Sequence, residues 1–221
     1  MAQPFTVTDP ATELPVWSVD AGGNVIANGG AQYGGPMLAG PNKTPAPGNQ
    51  FLPNDHGYLG WNGDPGYVQG GTILISGTLY VCRIPLRAPV SPSAVVFALS
   101  AVAVTPTAGQ NFAGIYDSTG TLLASAGIDT QVLSTGIASA GMSPGVVPPG
   151  NGFLWGALLT NAATAPTLQR FTTTGSPPNA GLANAALRWG VAGTSLTALP
   201  TTFTPSSLTT TGAITTWMAI Q

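Results

Sequence analysis

The sequence contains few charged residues. Lys and Arg number five and Asp and Glu number seven, so that 5% of the 221 residues are charged, against roughly 25% in an ordinary soluble domain. Five scattered cations cannot form the basic stripe that neutralises nucleic-acid phosphates, which argues against nucleic acid as a partner. A surface this poor in charge gives little colloidal repulsion and is more typical of a subunit in an assembly than of a free monomer.

Groups that could perform catalysis are also scarce. His56 is the only histidine and Cys82 is the only cysteine, so an intrachain disulfide is excluded, and Cys82 in TLYVCRIPL is predicted to be a small buried hydrophobe. No Ser or Cys stands in a nucleophile-elbow context. Asn54-Asp55-His56 followed by Asp64 matches no known metal-ligand spacing. The sequence therefore predicts a protein that is not an enzyme, with no metal and no cofactor.

A leader and a membrane span are not visible either. The start, MAQPFTVTDP, has neither a basic region nor an apolar run, so no secretory signal is predicted. The longest apolar stretch, at 94–104, is shorter than the roughly 20 residues of a spanning helix, and no membrane insertion is expected. Mean hydropathy is +0.27 and the net charge is −2, which predicts a packed chain rather than a disordered one.

Glycine and proline, in contrast, are abundant, with 30 and 21 copies. Residues 1–71 are dense in Gly, Pro and Asn and contain only short apolar runs, which predicts an extended N-terminal arm. Within this arm, VWSVDAGGNVIANGG at 16–30 alternates around Gly22-Gly23, which predicts one short β-hairpin.

Residues 72–221 carry short β-rich runs separated by turn residues. The runs predict an all-β fold, a jelly-roll-like antiparallel β-sandwich over 72–221. Helical turns are expected only in LQRF at 168–171 and NAGLANAALRW at 179–189. The prolines at 85, 89 and 92 predict a sheet edge or a crossing between sheets. The predicted strands are 72–86, 94–104, 111–117, 121–127, 152–160, 186–193 and 213–220.

The run NFAGIYDSTGTLLASAG at 111–127 places Asp117 and Gly120 at the first and last positions of a type I turn. The Asp side chain can accept hydrogen bonds from backbone N–H groups ahead of it in such a turn. We interpret this stretch as a corner between two strands and not as a catalytic loop.

The aromatic residues offer candidate contacts. Phe51, Tyr58, Trp61 and Tyr67 are interleaved with Gly and Asn, and flat rings beside amides and carboxylates either bind saccharides or anchor an arm in a groove of a neighbour. In the last strand, positions 214, 216, 218 and 220 form the face predicted to be buried, so that Trp217 points outward and needs a second partner. These five aromatic residues are the candidate contacts for a partner or a glycan.

Arg188-Trp189 also admits two interpretations. A cation–π or binding surface is one of them. A strand that turns Trp189 inward and Arg188 outward explains the pair without function and is the simpler prediction.

Two segments resemble a known family. VWSVDAGGNVIANGG resembles the Gly-Asn-Val repeats at the stalk or attachment regions of tailed-bacteriophage fibre proteins. GQNFAGIYDSTGTLLASAG, followed by GFLWGALLTNAATAPTLQRF and a Thr-rich ending, is similar to β-sandwich domains of minor tail and fibre proteins from phages of actinobacteria. The stalk motif occurs once, which favours a short attachment arm over a long shaft.

The resemblance implies a non-enzymatic virion protein that is assembled in the host cytoplasm. Such a minor tail or tail-fibre subunit would dock on other virion proteins through its arm, form a homotrimer and project the sandwich for host adhesion to a cell-surface glycan. Capsid decoration, as in a head fibre, stays open as the alternative, because it too uses an arm that docks and a β domain that projects.

Overall fold

The computed structural model describes residues 52–86, 89–145, 152–171, 179, 181–210 and 215–221, and the backbone of 5–8, 15–19 and 25–27. The chain divides into two compact units, Met1–Gly48 and Asn49–Gln221. The division falls earlier than the predicted boundary at residue 71, because residues 60–73 contribute strands to a sheet of the second unit.

The first unit contains a three-stranded antiparallel sheet in the order β1-β2-β3, formed by Phe5–Thr8, Pro15–Val19 and Val25–Ala27. Ser18 lies opposite Ile26 in the pairing of β2 with β3. The predicted hairpin is therefore confirmed. The strand β1 extends it on the side of β2, which the sequence did not predict.

The second unit is built from two larger antiparallel sheets and one small one, with strands numbered in chain order. The five-stranded sheet has the order β10 (Leu122–Gly127), β9 (Phe112–Tyr116), β12 (Phe153–Leu159), β6 (Leu79–Pro85) and β15 (Trp189–Gly193). The six-stranded sheet has the order β4 (Gly60–Trp61), β16 (Met218–Ile220), β7 (Ala94–Ala101), β14 (Thr167–Phe171) and β5 (Val68–Ile73), with β11 (Gly136–Gly141) on the other edge of β7. The two-stranded sheet joins β8 (Val104–Pro106) to β13 (Ala162–Thr164).

The main core lies between the two large sheets. Alternate residues of β6, among them Tyr80 and Cys82, pack in one cluster with Phe97 and Leu99 of β7, as the period of two along a strand requires. The predicted all-β antiparallel sandwich is confirmed. Cys82 is fully buried, and burial raises the pKa of its thiol, which confirms the prediction of a small buried hydrophobe.

The outward faces of both large sheets also carry buried clusters. On the five-stranded sheet, Trp155 and its neighbours are covered by Phe203 and Leu208. On the six-stranded sheet, Trp217 packs with the outward residues of β7 and β16 beneath the segment that contains Tyr58 and Trp61. The final strand therefore buries side chains on both faces, since Met218 and Ile220 lie in the core between the sheets.

Two local predictions have different outcomes. Pro85 ends β6 in the five-stranded sheet and the next strand, β7, belongs to the six-stranded sheet. Of the two predicted alternatives, a sheet edge or a crossing, the structure shows the crossing. The predicted helical turn at 168–171 is wrong, because this segment forms β14, whose Leu168 is buried in the core and whose backbone pairs with β5 and β7.

Helices are short throughout the described part of the chain. The segment 179–189 contains one 3-10 turn, Asn184–Ala186, and no described helix reaches seven residues. Nowhere in these described ranges does a helix have the length and apolarity of a membrane span.

Candidate binding surface

The segment 52–67 begins with a 3-10 helix, Pro53–His56. The Leu52 N–H donates to the Asp55 carboxylate over 2.7 Å at the start of this helix. Gly57 ends it with φ of +74°, a left-handed conformation that glycine adopts without steric cost. This turn directs the following residues onto the outer face of the six-stranded sheet.

Hydrogen bonds then fix the segment to the last strand. The backbone N–H groups of Leu59 and Asn62 donate to Ile220 and Met218 carbonyls over 2.7 and 3.1 Å. The Asn62 side chain donates to the Thr216 carbonyl over 2.6 Å and accepts from the Met218 N–H over 3.0 Å. One amide therefore satisfies two backbone groups of the neighbouring chain segment and sets the position of the rings on either side of it.

Four rings meet on this face. The Tyr58 ring centroid lies 5.9 Å from that of Trp217 and 6.5 Å from that of Trp61, both in edge-to-face geometry. His56 completes the group at 5.4 Å from Trp61. Such geometry is favourable for aromatic pairs. Because Tyr58 and Trp61 are half-buried and His56 is exposed, we call these three residues the aromatic surface.

Trp217 lies beneath the aromatic surface and not on it. Its exposed fraction is 2%, and its indole N–H donates to the Gly63 carbonyl over 3.0 Å. The predicted alternation is confirmed, since Trp217 lies on the face opposite Met218 and Ile220, but Trp217 is covered by its own chain and is not exposed for a contact. The second partner that the sequence requires for Trp217 is the chain's own segment 58–63.

The other two predicted contact residues, Tyr67 and Phe51, are not part of the aromatic surface. Tyr67 ends a second 3-10 helix, Pro65–Tyr67, and is 62% exposed, so that most of its ring is accessible. Phe51 lies outside the described residues. Of the five predicted contacts, the structure thus brings together Tyr58, Trp61 and Trp217 and leaves Tyr67 as a separate exposed ring.

The carboxylates of the described residues all bind backbone N–H groups of nearby turns. Asp64 accepts from the Gly66 N–H over 2.7 Å, and Asp129 accepts from the Gly109 N–H over 2.7 Å. Asp117 accepts from the Thr119 and Thr121 N–H groups over 2.8 and 2.9 Å. Asp55 binds Leu52 in the same way as Asp64 and Asp117 bind their turns, whereas Asp129 joins its own loop to the turn at Gly109. The interpretation of 117–120 as a corner is confirmed.

The pKa values of two of these carboxyls reflect the same hydrogen bonds. Partial burial raises the pKa of Asp117, but hydrogen bonds from the Thr119 hydroxyl and from nearby backbone N–H groups outweigh it, and the net pKa is lowered. The N–H of Gly109 and the amide of Asn111 lower the pKa of Asp129. Both carboxyls are therefore held ionised as acceptors.

The rings of the aromatic surface can make stacking contacts with a ligand or a partner. Within the described ranges, no group of three or more His, Cys, Asp or Glu residues is placed to hold a metal ion. Partly exposed rings can stack on the apolar face of a sugar or on the side chains of a protein partner. The sequence indicated these rings, but it gave His56 only as a metal candidate; its alternation with Tyr58 in HGYLGW could have suggested a shared face.

The arginine and tryptophan at 188–189 follow the simpler prediction. Trp189 is 6% exposed and Arg188 is exposed, so the strand turns the ring inward and the charge outward. The cation–π contacts occur at Arg83 instead, whose guanidinium carbon lies 4.2 Å from the ring centroid of Phe153 and 4.9 Å from that of Trp155.

Comparisons with family models, with curated proteins and with solved structures find no match for this chain.

Proposed function

We propose that this protein is a non-enzymatic structural component of a tailed-phage virion, a minor tail or fibre-type subunit. Its N-terminal unit fastens it to other virion proteins, and its sandwich projects and contacts a glycan of the host surface through the aromatic surface and Tyr67. The proposal rests on the resemblance of the VDAGGNV and GIYDSTGTLLASAG segments to such proteins.

The observation that carries the proposal is that the carboxylates and the aromatic rings of the sandwich have different roles. The four described carboxylates bind backbone N–H groups of the sandwich itself, whereas the rings of Tyr58, Trp61 and Tyr67 retain exposed area. A rigid β scaffold that presents rings, and commits its carboxylates to its own backbone, is suited to binding.

Self-association, as a homotrimer, is part of the proposal. Strand β10 pairs with β9 alone and β11 with β7 alone among the described strands, so most backbone groups on one edge of each have no strand partner. The exceptions are the Leu122 N–H, which donates to the Thr201 carbonyl over 2.8 Å, and the Ser139 carbonyl, which accepts from the Gln131 amide over 3.5 Å. Their sequences, LLASAG and GIASAG, contain none of the charges or prolines that usually protect a sheet edge. Light scattering of the purified protein should find three copies; a monomer at high concentration would contradict this part.

The location is tested on the particle. Antibodies raised against the protein and applied to phage particles under negative-stain electron microscopy should label the tail. Label on the head would move the assignment to capsid decoration, and particles without label would overturn a virion role.

The contact is tested on cells. The full-length protein, added to host cells before the phage, should label their surface and slow adsorption. Trp61→Ala should weaken the labelling, while Ile137→Ala serves as the control, because Ile137 lies opposite Ala98 on the same outer face and is exposed but has no ring. Absence of labelling by the natural protein would contradict adhesion.

A further inference from the structure

Two of the few arginines face each other across a strand pair. Trp189 pairs with Cys82 where β15 meets β6, and the next pair in this register is Arg188 with Arg83, whose N–H donates to the Arg188 carbonyl over 2.8 Å. Opposed residues of an antiparallel pair are close, and like charges there are destabilising. The backbone register thus places two of the five cations of the chain opposite each other, an arrangement that is unfavourable for like charges.

The guanidinium of Arg83 is fixed in position. It lies over the rings of Phe153 and Trp155, and one of its terminal nitrogens donates to the Ala185 carbonyl. Trp155 itself is fully buried, so the support beneath the cation is rigid. Stacking on aromatic rings and a planar set of donors make Arg the residue that recognises oxyanions with defined geometry. Arg188 beside it is exposed and accessible to a ligand.

None of the four described carboxylates is a hydrogen-bond partner of these arginines. The described carboxylates bind backbone N–H groups elsewhere, Asp55, Asp64 and Asp117 in their own turns and Asp129 at Gly109. Arg83 has as its partners a neutral carbonyl and two rings. The Nε–H of Arg83 and the indole N–H of Trp155 are buried with no acceptor in the described part of the chain. Donors and positive charge therefore exceed acceptors here, which is the pattern of an anion site.

We propose that Arg83 and Arg188 form a binding site for the oxyanion of an acidic saccharide, a uronate carboxylate or a phosphate ester, at the end of β6 and the start of β15. The opposed guanidinium groups bind the anion between them, and the ligand removes their mutual repulsion. The saccharide as the source of the anion rests on the proposed function, while the oxyanion site itself does not.

The site is tested with simple anions on the full-length protein. Isothermal titration with glucuronate, inorganic phosphate and glucose should show binding of at least one anion and none of the neutral sugar. Arg188→Gln should weaken that binding by about tenfold or more, since one charge-assisted contact is lost. Arg170→Gln is the matched control, because it removes the same charge from β14 and should change the affinity less than about twofold.

A second variant separates geometry from charge. Arg83→Lys keeps the charge but loses the planar donors and their stacking, so it should weaken anion binding while circular dichroism shows an unchanged fold. Binding of glucuronate alone identifies a uronate, and binding of phosphate alone identifies a phosphate ester. No binding of either anion, or equal losses in Arg188→Gln and Arg170→Gln, overturns the site. Anion binding without labelling of cells keeps the site and rejects adhesion to a host glycan.

Discussion

The outer faces of the two large sheets are covered in different ways. On the five-stranded sheet, Trp155 and Tyr116 are fully buried beneath residues that include Phe203 and Leu208, and the Tyr116 hydroxyl donates to the Pro200 carbonyl over 2.9 Å. On the six-stranded sheet, the cover is a short segment whose rings stay half-exposed, and Ile73 and Ile137 are more than half exposed beside it.

The two outer faces therefore contribute differently, one mainly to the stability of the fold and the other to contact with a partner. The outer face of the five-stranded sheet, whose central rings Trp155 and Tyr116 are completely covered, acts as a second core, because burial of apolar area stabilises the fold by roughly 25 cal/mol per Å². A face whose rings are partly exposed gives up some of that stabilisation and keeps area for a partner. The cover of the six-stranded sheet is therefore the part of the sandwich from which we expect both local opening and binding.

The largest effect on stability is expected from Trp155→Ala, which tests whether the covered face of the five-stranded sheet acts as a core. Trp155 has no exposed area and packs edge-to-face with Phe153 and Phe203, so its removal leaves a cavity beneath the cover. We expect a loss of about 3–5 kcal/mol in the free energy of unfolding, measured by urea denaturation. A loss below about 1 kcal/mol would show that this face does not act as a core.

Trp217→Ala makes the same change on the other face. Because Trp217 is buried within one chain, the substitution should destabilise the fold by about 3 kcal/mol, without first releasing monomers from an oligomer. It should also expose segment 52–63 to protease sooner than Trp155→Ala does, since the indole N–H holds Gly63. Release of folded monomers would instead place Trp217 between subunits.

Local patterns in the sequence predicted most of the strands. Alternation and turn residues are properties of a few neighbouring residues. They were sufficient to predict the sandwich, the hairpin within 16–30, the corner at Asp117 and the burial of Cys82. Proline after β6 was enough for the crossing between sheets, because proline cannot donate to a central ladder.

Features that depend on partners distant in sequence could not be predicted. Trp61 and Trp217 are 156 positions apart, so no local pattern reveals that one covers the other. The strand β11 is made of small residues with weak β preference, and it forms because β7 offers six backbone partners. The pairing of Arg83 with Arg188 likewise follows from the register of β6 and β15.

A smaller effect is expected from Tyr116→Phe, which removes one hydroxyl from the covered face. The Pro200 carbonyl would lose its donor, and the cost should be about 0.5–1.5 kcal/mol. Tyr67→Phe is the matched control, because its ring is exposed and it should cost nothing measurable. Equal urea midpoints for Tyr116→Phe and the natural protein would mean that the hydroxyl does not fix the cover.

A still smaller effect on stability is expected from acid, acting through Asp117 in the corner at 117–120. The folded-state pKa of Asp117 is lowered, so its stabilisation is complete above the unfolded value near 4 and is lost as pH falls through the folded value. Urea midpoints should therefore decline as pH falls below about 4, and less steeply for Asp117→Asn. Identical declines in the two proteins would assign the acid sensitivity to other carboxyls.

The least effect on stability, and a clear effect on contact, is expected from Tyr67→Ala. Tyr67 is 62% exposed, and substitutions at such positions usually stay within about 0.5 kcal/mol. If the side with exposed rings meets a host glycan, this variant should label host cells less while its urea midpoint is unchanged. Ile137→Ala, which removes a comparably exposed side chain without a ring, should label as the natural protein does. Ile137→Ala is the appropriate control because aromatic rings, and not exposed apolar area in general, provide the stacking that a sugar requires. If Tyr67→Ala labels host cells as strongly as Ile137→Ala does, Tyr67 is not part of the contact, and Tyr58, Trp61 and His56 remain the candidates.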